Sequence, residues 1–509
     1  MSEGDLPGPS VTQRDLVARA SGTERPHPEP ATVGAAPEHA APEPAAKGAD
    51  TGQGRAAAPG AAPATAPAPP AADAGPRRLL ALAVPTLGVL VAEPIYLLFD
   101  LAVVGRLGAQ ALAGLAVGGL ILTLASTQLT FLSYGTTARS ARRHGAGDRA
   151  GAVAEGVQAT WLALGIGLAL LLAVQAAAAP LTRVIAGGAE IAGQALPWVR
   201  IALFGVPLIL IAMAGNGWLR GVQETRRPLI FVVCGLALSA VLCPLLVHGL
   251  WFAPHWGLPG SAVANVAGQA VTAVLFLFAL VRERAALRPR GAVMRKQLVL
   301  GRDLIVRSLA FQACFVSAAA VASRFGAASV AAHQVVLQLW NFLALTLDAL
   351  AIAAQTLVGA ALGGGDARGA RGLAGRVTRW SLLFAVALAG CFALAAAVLP
   401  PLFTTDPAVL DRIAVIWWFF VAIIPVAGVV FALDGVLLGA GDAAYLRTTT
   451  MAAALVAFLP AIWLALVFGW GVAGIWSGLV AFMLARLLAV GSRAISGRWA
   501  RVGADLPVR

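Results

Sequence analysis

The chain has 509 residues, of which 59% are hydrophobic and 12% charged, and its mean hydropathy is +0.81. Soluble domains carry about a quarter charged residues, so the composition excludes an ordinary soluble protein and implies an integral membrane protein. The formal net charge is +13, and the basic excess sits between apolar segments, which points away from nucleic acid and toward anionic lipid and membrane topology.

Residues 1–76 hold 14 of the 30 prolines, many alanines and no useful hydrophobic run. Such a stretch cannot bury enough apolar surface to offset its ordering entropy, so it is expected to be a disordered cytoplasmic tail. It has no basic start followed by an apolar core, and so does not read as a signal peptide. It carries nine acids against five Lys/Arg, which leaves 15 acids against 32 bases for residues 77–509.

Beyond the tail, runs of about 20 apolar residues suit a bilayer core. Twelve are predicted: 79–104, 111–135, 152–175, 195–214, 229–250, 259–281, 303–323, 331–359, 380–400, 413–433, 446–468 and 471–490. The fold class is therefore an all-α integral membrane protein. Its expected parts are a first six-helix lobe at 77–281, a basic cytoplasmic linker at 282–302, a second six-helix lobe at 303–490 and a basic cytoplasmic tail at 491–509.

The two halves repeat at an offset of 218 residues. Gly105-Arg106-Leu107-Gly108-Ala109 falls on Ser323-Arg324-Phe325-Gly326-Ala327, and Gly147-Asp148 with Gly151-Ala152 falls on Gly365-Asp366 with Gly369-Ala370. Pro207, Gly217 and Gly221 fall on Pro425, Gly435 and Gly439. Such self-similarity marks a duplicated unit. An even number of spans per unit returns the chain to its starting side, so the lobes share one orientation and are related by a pseudo-twofold axis along the membrane normal.

Alternate loops carry the arginines: Arg139, Arg142, Arg143 and Arg149; Arg220, Arg226 and Arg227; Arg282 through Lys296; and Arg368, Arg371, Arg376 and Arg379. The positive-inside rule then makes both termini cytoplasmic. The linker's basic, amphipathic character fits a segment on the inner leaflet. The Gly-Asp elements read as helix-ending turns, since no strand precedes them and no GK[ST] follows. Cys234, Cys243, Cys314 and Cys391 lie in apolar segments without CxxC or Cys/His spacing, which implies neither disulfide nor metal.

Polar groups inside spans are expensive and therefore candidates for function. In the first span Glu93 and Asp100 are seven residues apart, two turns along one face, with the kink-prone Pro94 between them. A carboxylate held away from water binds a proton more readily, so the pair reads as a proton-coupling site. The bland alternative is a wet end or a cap for Asp100. In the eighth span Gln334, Gln338, Asn341, Asp348 and Gln355 form a stripe at helical spacing, which argues for a water-filled cavity or, more blandly, for interhelical hydrogen bonds. His333 beside it reads equally as an interfacial residue. Asn216 and Asp434 are related by the same offset, each before a Gly-rich stretch, so a capping or turn role competes with a cavity role. Ser261, Asn265 and Gln269 share one face of the sixth span, while Gln128, Gln158 and Gln312 are isolated.

With these residues in hand, the chain resembles the multidrug and toxic compound extrusion (MATE) family, in particular its DinF-like branch. Phe99-Asp100-Leu101-Ala102-Val103-Val104-Gly105-Arg106-Leu107-Gly108 is similar to the family's first-span signature. Leu347 to Gln355 and Leu433 to Asp442 resemble motifs of that branch in spans eight and ten. The resemblance covers 79 to about 490 and implies two lobes around a cleft, alternating access, and export of organic cations or amphiphiles against H+ or Na+, with Asp100 as the coupling residue. Two departures stand out. Where relatives often carry Asn and, four residues on, Asp in the fifth span, this chain has Ser239 and Cys243. Na+-coupled relatives use acids in spans seven and ten, whereas here span seven holds only Asp303, at its inner edge; H+ is therefore preferred over Na+.

The expected function is secondary antiport in the plasma membrane by a monomer, with lipid and small cationic or amphiphilic molecules as partners and no cofactor beyond the coupling ion. The alternative is a flippase for lipid-linked saccharide, which would need bases facing the cavity; the sequence places them in loops apart from Arg307. An enzyme is not expected, since HExxH, GxSxG and a P-loop are absent. At the repeat offset the polar residues do not match: Glu93 falls on Phe311, Asp100 on Ala318 and Asp348 on Thr130. The first lobe thus reads as the proton site and the second as the polar wall of the substrate cavity.

Overall fold

The structure, a computed structural model, describes residues 75–126, 129–249 and 254–506. Residues 1–74 of the proposed tail, and Gln128, lie outside them, while Pro76, the last residue assigned to the tail, opens the first helix. Among the described residues there is no strand. The first half contains α1 (Pro76–Gly105), α2 (Ala109–Ser126), α3 (Phe131–Gly145), α4 (Arg149–Ala186), α5 (Ala189–Ala202), α6 (Gly205–Gly221), α7 (Arg226–His248) and α8 (Leu258–Arg282). The second contains α9 (Gly291–Arg324), α10 (Ala327–Gly363), α11 (Ala367–Leu394), α12 (Pro407–Ala440), α13 (Ala443–Ala453), α14 (Leu459–Val467) and α15 (Gly471–Ser496). A π-helical turn, Ala454–Phe458, joins α13 to α14.

Eleven of these units are long and apolar enough to cross a membrane, taking α2 with α3 and α13 with α14 as single spans. The predicted straight span at 195–214 is instead the pair α5 and α6, bent by 46°, which makes a twelfth if counted as one. Hydropathy averages over such a bend and cannot register it. Helices also outrun the apolar windows: α4 has 38 residues, about 57 Å at 1.5 Å per residue, against a hydrocarbon core of about 30 Å.

Local chemistry sets the ends. Asp148 and Asp366 are the N-caps of α4 and α11, each accepting from the backbone N–H three residues on, at 2.7 and 2.6 Å from Gly151 and Gly369. The preceding Gly147 and Gly365 have φ of 76° and 84°, a region that an L side chain resists. The repeated Gly-Asp element is thus a turn and cap used twice.

Equivalent helices pack alike in both lobes: α3 on α6 and α4 on α6 in the first, α10 on α12 and α11 on α12 in the second. The repeated glycines lie in these contacts. A Cβ at Gly217 would come within 2.5 Å of the Ser133 carbonyl oxygen, and one at Gly435 within 2.1 Å of that of Ala351. The lobes meet where α3 approaches α10. A Cβ at Gly145 would lie 1.9 Å from the Ala360 carbonyl oxygen, and one at Gly363 would lie 2.0 Å from that of Arg142. Adding 218 converts one contact into the other, so they are one contact reflected through the pseudo-twofold axis.

The segment 282–302 is only partly extended. Gln158 of α4 donates to the Arg288 carbonyl at 3.0 Å and accepts from the Arg290 N–H at 2.6 Å, and Trp161 donates to the Leu287 carbonyl at 2.7 Å. From Gly291 onward the chain is already α9. The connection is strapped to the first lobe.

Candidate functional site

Among the described residues, three of the buried polar clusters bear on function. The first surrounds Asp100 of α1, which is 4% exposed. The Cys243 thiol of α7 donates to its Oδ1 at 3.1 Å, and the Ser261 hydroxyl of α8 to its Oδ2 at 3.4 Å. The Trp198 indole N–H fixes that hydroxyl at 3.0 Å. Ser239 turns away, donating to the Ala264 carbonyl at 2.7 Å. One turn earlier on α1 the buried Tyr96 hydroxyl lies close to Ser239 and Asn265. Of the two fifth-span positions singled out by the sequence, Cys243 therefore reaches Asp100 and Ser239 does not. The other buried carboxylates, Glu155, Asp303, Asp434 and Asp442, each hold an arginine. Asp100 has only neutral donors in hydrogen-bonding range.

The second cluster lines a cavity of about 180 Å³ with Glu93, Tyr134, Asn216, Arg220, Gln269 and Thr272. Glu93 is exposed to it, whereas Asp100 is sealed, so the two carboxylates of α1 occupy different sites. The α8 stripe runs antiparallel to α1: Ser261 touches Asp100, Asn265 lies by Tyr96 and Gln269 shares the cavity of Glu93. Arg220 is 4% exposed, which corrects its placement in a loop.

Across the lobe boundary the Tyr134 hydroxyl of α3 donates to Asp348 Oδ2 of α10, and Gln355 Nε2 donates to the Tyr134 carbonyl at 2.7 Å. The predicted stripe thus divides. Gln334, Gln338 and Asn341 are exposed, with Asn341 donating to Gln338 at 3.0 Å. Asp348 is half-buried, and Gln355 is buried as interhelical glue. His333 is fully buried against Trp476, not interfacial.

The third cluster lies in the second lobe. Asp434 Oδ2 of α12 accepts from Arg307 of α9 and Arg486 of α15. Both guanidiniums sit over the Phe311 ring, 5.6 and 4.7 Å from its centroid. These residues, with Asn341, Trp340 and Trp476, line a cavity of about 240 Å³. The sequence reading that bases keep to loops fails here, because Arg486 is 1% exposed inside the last span. The rule applied to Glu93, that an intramembrane charge is a candidate, would have found it. Tyr134 carried no such signal, being one aromatic among many.

Two lobes of repeated helices, packed about a common axis with polar interiors, define a multi-pass membrane transporter. The chain belongs to the MatE family, the multidrug and toxic compound extrusion transporters, whose profile matches residues 85–245 and again 304–464, one lobe each. It is a multidrug efflux transporter of that family. It is 31% identical over 426 residues to Protein DETOXIFICATION 44, chloroplastic, of Arabidopsis thaliana, covering 81% of this chain and 80% of that one. It is likewise 31% identical over 390 residues to DNA damage-inducible protein F of Escherichia coli (strain K12), covering 74% and 83%. Among solved structures, a MATE in the bent conformation superposes with a TM-score of 0.73 at 22% identity, over 83% of this chain and 94% of that chain. An outward-facing multidrug resistance MATE family transporter of the MOP superfamily gives 0.71 at 22%, over 83% and 96%. These likenesses show the fold.

Proposed function

We propose that the protein is a proton-coupled exporter of small amphiphilic molecules, working by alternating access in the plasma membrane with both termini in the cytoplasm. The observation that carries this reading is the environment of Asp100: a buried carboxylate facing a thiol and a hydroxyl and no cation. An ionised carboxylate in such a place lacks compensation, and a bound proton supplies it. Na+ is a hard cation that wants several oxygen ligands; Cys243 supplies sulfur instead. Glu93 is a second protonatable group facing a separate cavity beside Arg220.

A proton can bias the two access states only through a differential affinity for them. The α3 to α10 contact is the element to be biased, since the bond from Tyr134 to Asp348 joins the lobes. The inward-facing arginines lend some support to the flippase alternative. However, apart from Arg307, Arg486, Asp434 and Asn341 their cavity is lined by apolar and aromatic side chains, which leaves the hydroxyls of a saccharide few partners.

The test is efflux from proteoliposomes, with a cationic rhodamine and an anionic naphthoate as paired probes. An imposed pH gradient is expected to drive at least one of them, and Asp100→Asn to reduce that flux tenfold or more. Undiminished proton-driven flux in the variant would remove Asp100 from the coupling role, and a response to a Na+ gradient alone would replace the ion.

A further inference from the structure

We infer that the cavity of the second lobe binds a small aromatic anion, a ring bearing a carboxylate, and that Arg307 and Arg486 are its charge-recognising residues. The inference names the substrate class for the exporter reading above and rests on that reading only for the direction of transport. Two guanidiniums converge on one oxygen of Asp434, so the cavity holds two positive charges against one negative. Asp348, whose charge also acts on Arg307, is engaged with Tyr134 across the lobe boundary and does not line the cavity. Donor capacity is left over: Arg307 Nε is buried without a partner, and Arg486 NH1 has only the Met483 sulfur, 4.0 Å away.

The fold does not require this arrangement. Subtracting 218 places the first-lobe counterparts of Arg307 and Asp434 at Val89 and Asn216, and the Trp-Gly-x-x-Gly match of 256–260 with 470–474, an offset of 214 in the last helix of each lobe, places that of Arg486 at Thr272. The same helical scaffold closes there without any of the three charges. A buried guanidinium without full compensation is costly, and a planar carboxylate that accepts from the arginine fork provides it. The walls supply the other half of the recognition. Phe311, Phe482, Trp340 and Trp476 present apolar rings around the charged end, and the volume of about 240 Å³ suits one or two fused rings. An organic cation in the same space would meet two like charges.

The experiment compares 1-naphthoate with 1-naphthylmethylamine, the same rings with opposite charge, binding to the purified full-length transporter in zwitterionic detergent. Naphthoate is expected to bind at least tenfold more tightly than the amine. Arg307→Gln, at a side chain 15% exposed, is expected to weaken naphthoate tenfold or more. Asp434→Asn, which removes the competing carboxylate, is expected to strengthen it several-fold and to make naphthoate a better thermal stabiliser of the variant than of the wild type. A loss of folding cannot mimic that gain, so the second variant decides even if the first unfolds. Tighter binding of the amine, or weaker binding of naphthoate by Asp434→Asn, overturns the inference. So does competition from added phosphatidylglycerol in place of naphthoate binding, which would make the occupant a lipid headgroup. Naphthoate binding without gradient-driven flux would leave the site standing and remove the exporter reading. Proton-driven flux of the amine without naphthoate binding would do the reverse.

Discussion

Glu155 of α4 accepts from both Arg139 Nε and NH2 of α3, at 2.7 and 2.6 Å, and from Gln297 of α9 at 2.9 Å. Arg139 and Glu155 are both buried, so the pair is satisfied in a dry place and neither member can be removed alone without stranding the other. Glu155→Ala is therefore expected to lower stability by about 3–5 kcal/mol, whereas the double replacement Arg139→Met with Glu155→Leu should come much closer to wild type. Chemical unfolding in detergent checks both; equal losses in the single and double variants would mean that the charges are not paired energetically. Of these residues the sequence exposed only Arg139, and as a topology signal. Partners 16 residues apart on different helices share no periodicity, so nothing along the chain links them. Asp100 and Asp434 were legible because a lone acid inside an apolar run needs no partner to be noticed. What surrounds each, a thiol in one case and two arginines in the other, is set by neighbouring helices.

Helix packing shows the same division. Apolar runs predicted nearly every span, and the 218-residue offset predicted that each lobe repeats the other. The Gly-rich stretches after Asn216 and Asp434 suggest caps or turns, yet Gly217 and Gly435 lie within α6 and α12, where backbone meets backbone. Close crossings on small residues are a standard way to associate helices in a bilayer, where lipid leaves little hydrophobic drive. Gly435→Ala would place a methyl group 2.1 Å from the Ala351 carbonyl oxygen, and since that neighbour is backbone it cannot swing aside. The expected cost is about 1–3 kcal/mol from overpacking. Gly119→Ala, with nothing within 4 Å of the new carbon, should be neutral or gain up to about 1 kcal/mol of helix propensity. Thermal denaturation of the two variants side by side tests this, and a harmless Gly435→Ala would mean that α12 can slide on α10.

At the scale of the whole molecule, the ends of α3 and α10 are closed on each other and the C-terminal segment is laid across the closure. The fully buried Arg142 donates to the carbonyls of Arg501 at 2.9 Å, Gly503 at 3.0 Å and Ala440 at 2.8 Å. Arg143 pairs with Asp505 at 2.5 Å, and the Gly503 N–H donates to the Leu362 carbonyl at 3.0 Å. A guanidinium of the first lobe thus holds backbone from α12 and from the tail of the second, and two of its acceptors come from residues past the last helix. In an alternating-access cycle these bonds must break when this end opens, so they bias the molecule toward the closed form. Deleting residues 498–509 removes the Arg501 and Gly503 acceptors while leaving all fifteen helices intact. The buried Ala141, whose side chain faces Gly359 of α10 across the lobe boundary, replaced by cysteine in a background lacking the four native cysteines, reports on opening. Maleimide labelling at that position should accelerate tenfold or more in the truncated protein, because each acceptor lost shifts the equilibrium toward exposure by roughly 1.5–3 kcal/mol, the range for hydrogen bonds to charged groups. An unchanged labelling rate would mean that the glycine contact between α3 and α10 holds this end by itself and that the tail merely rests on it.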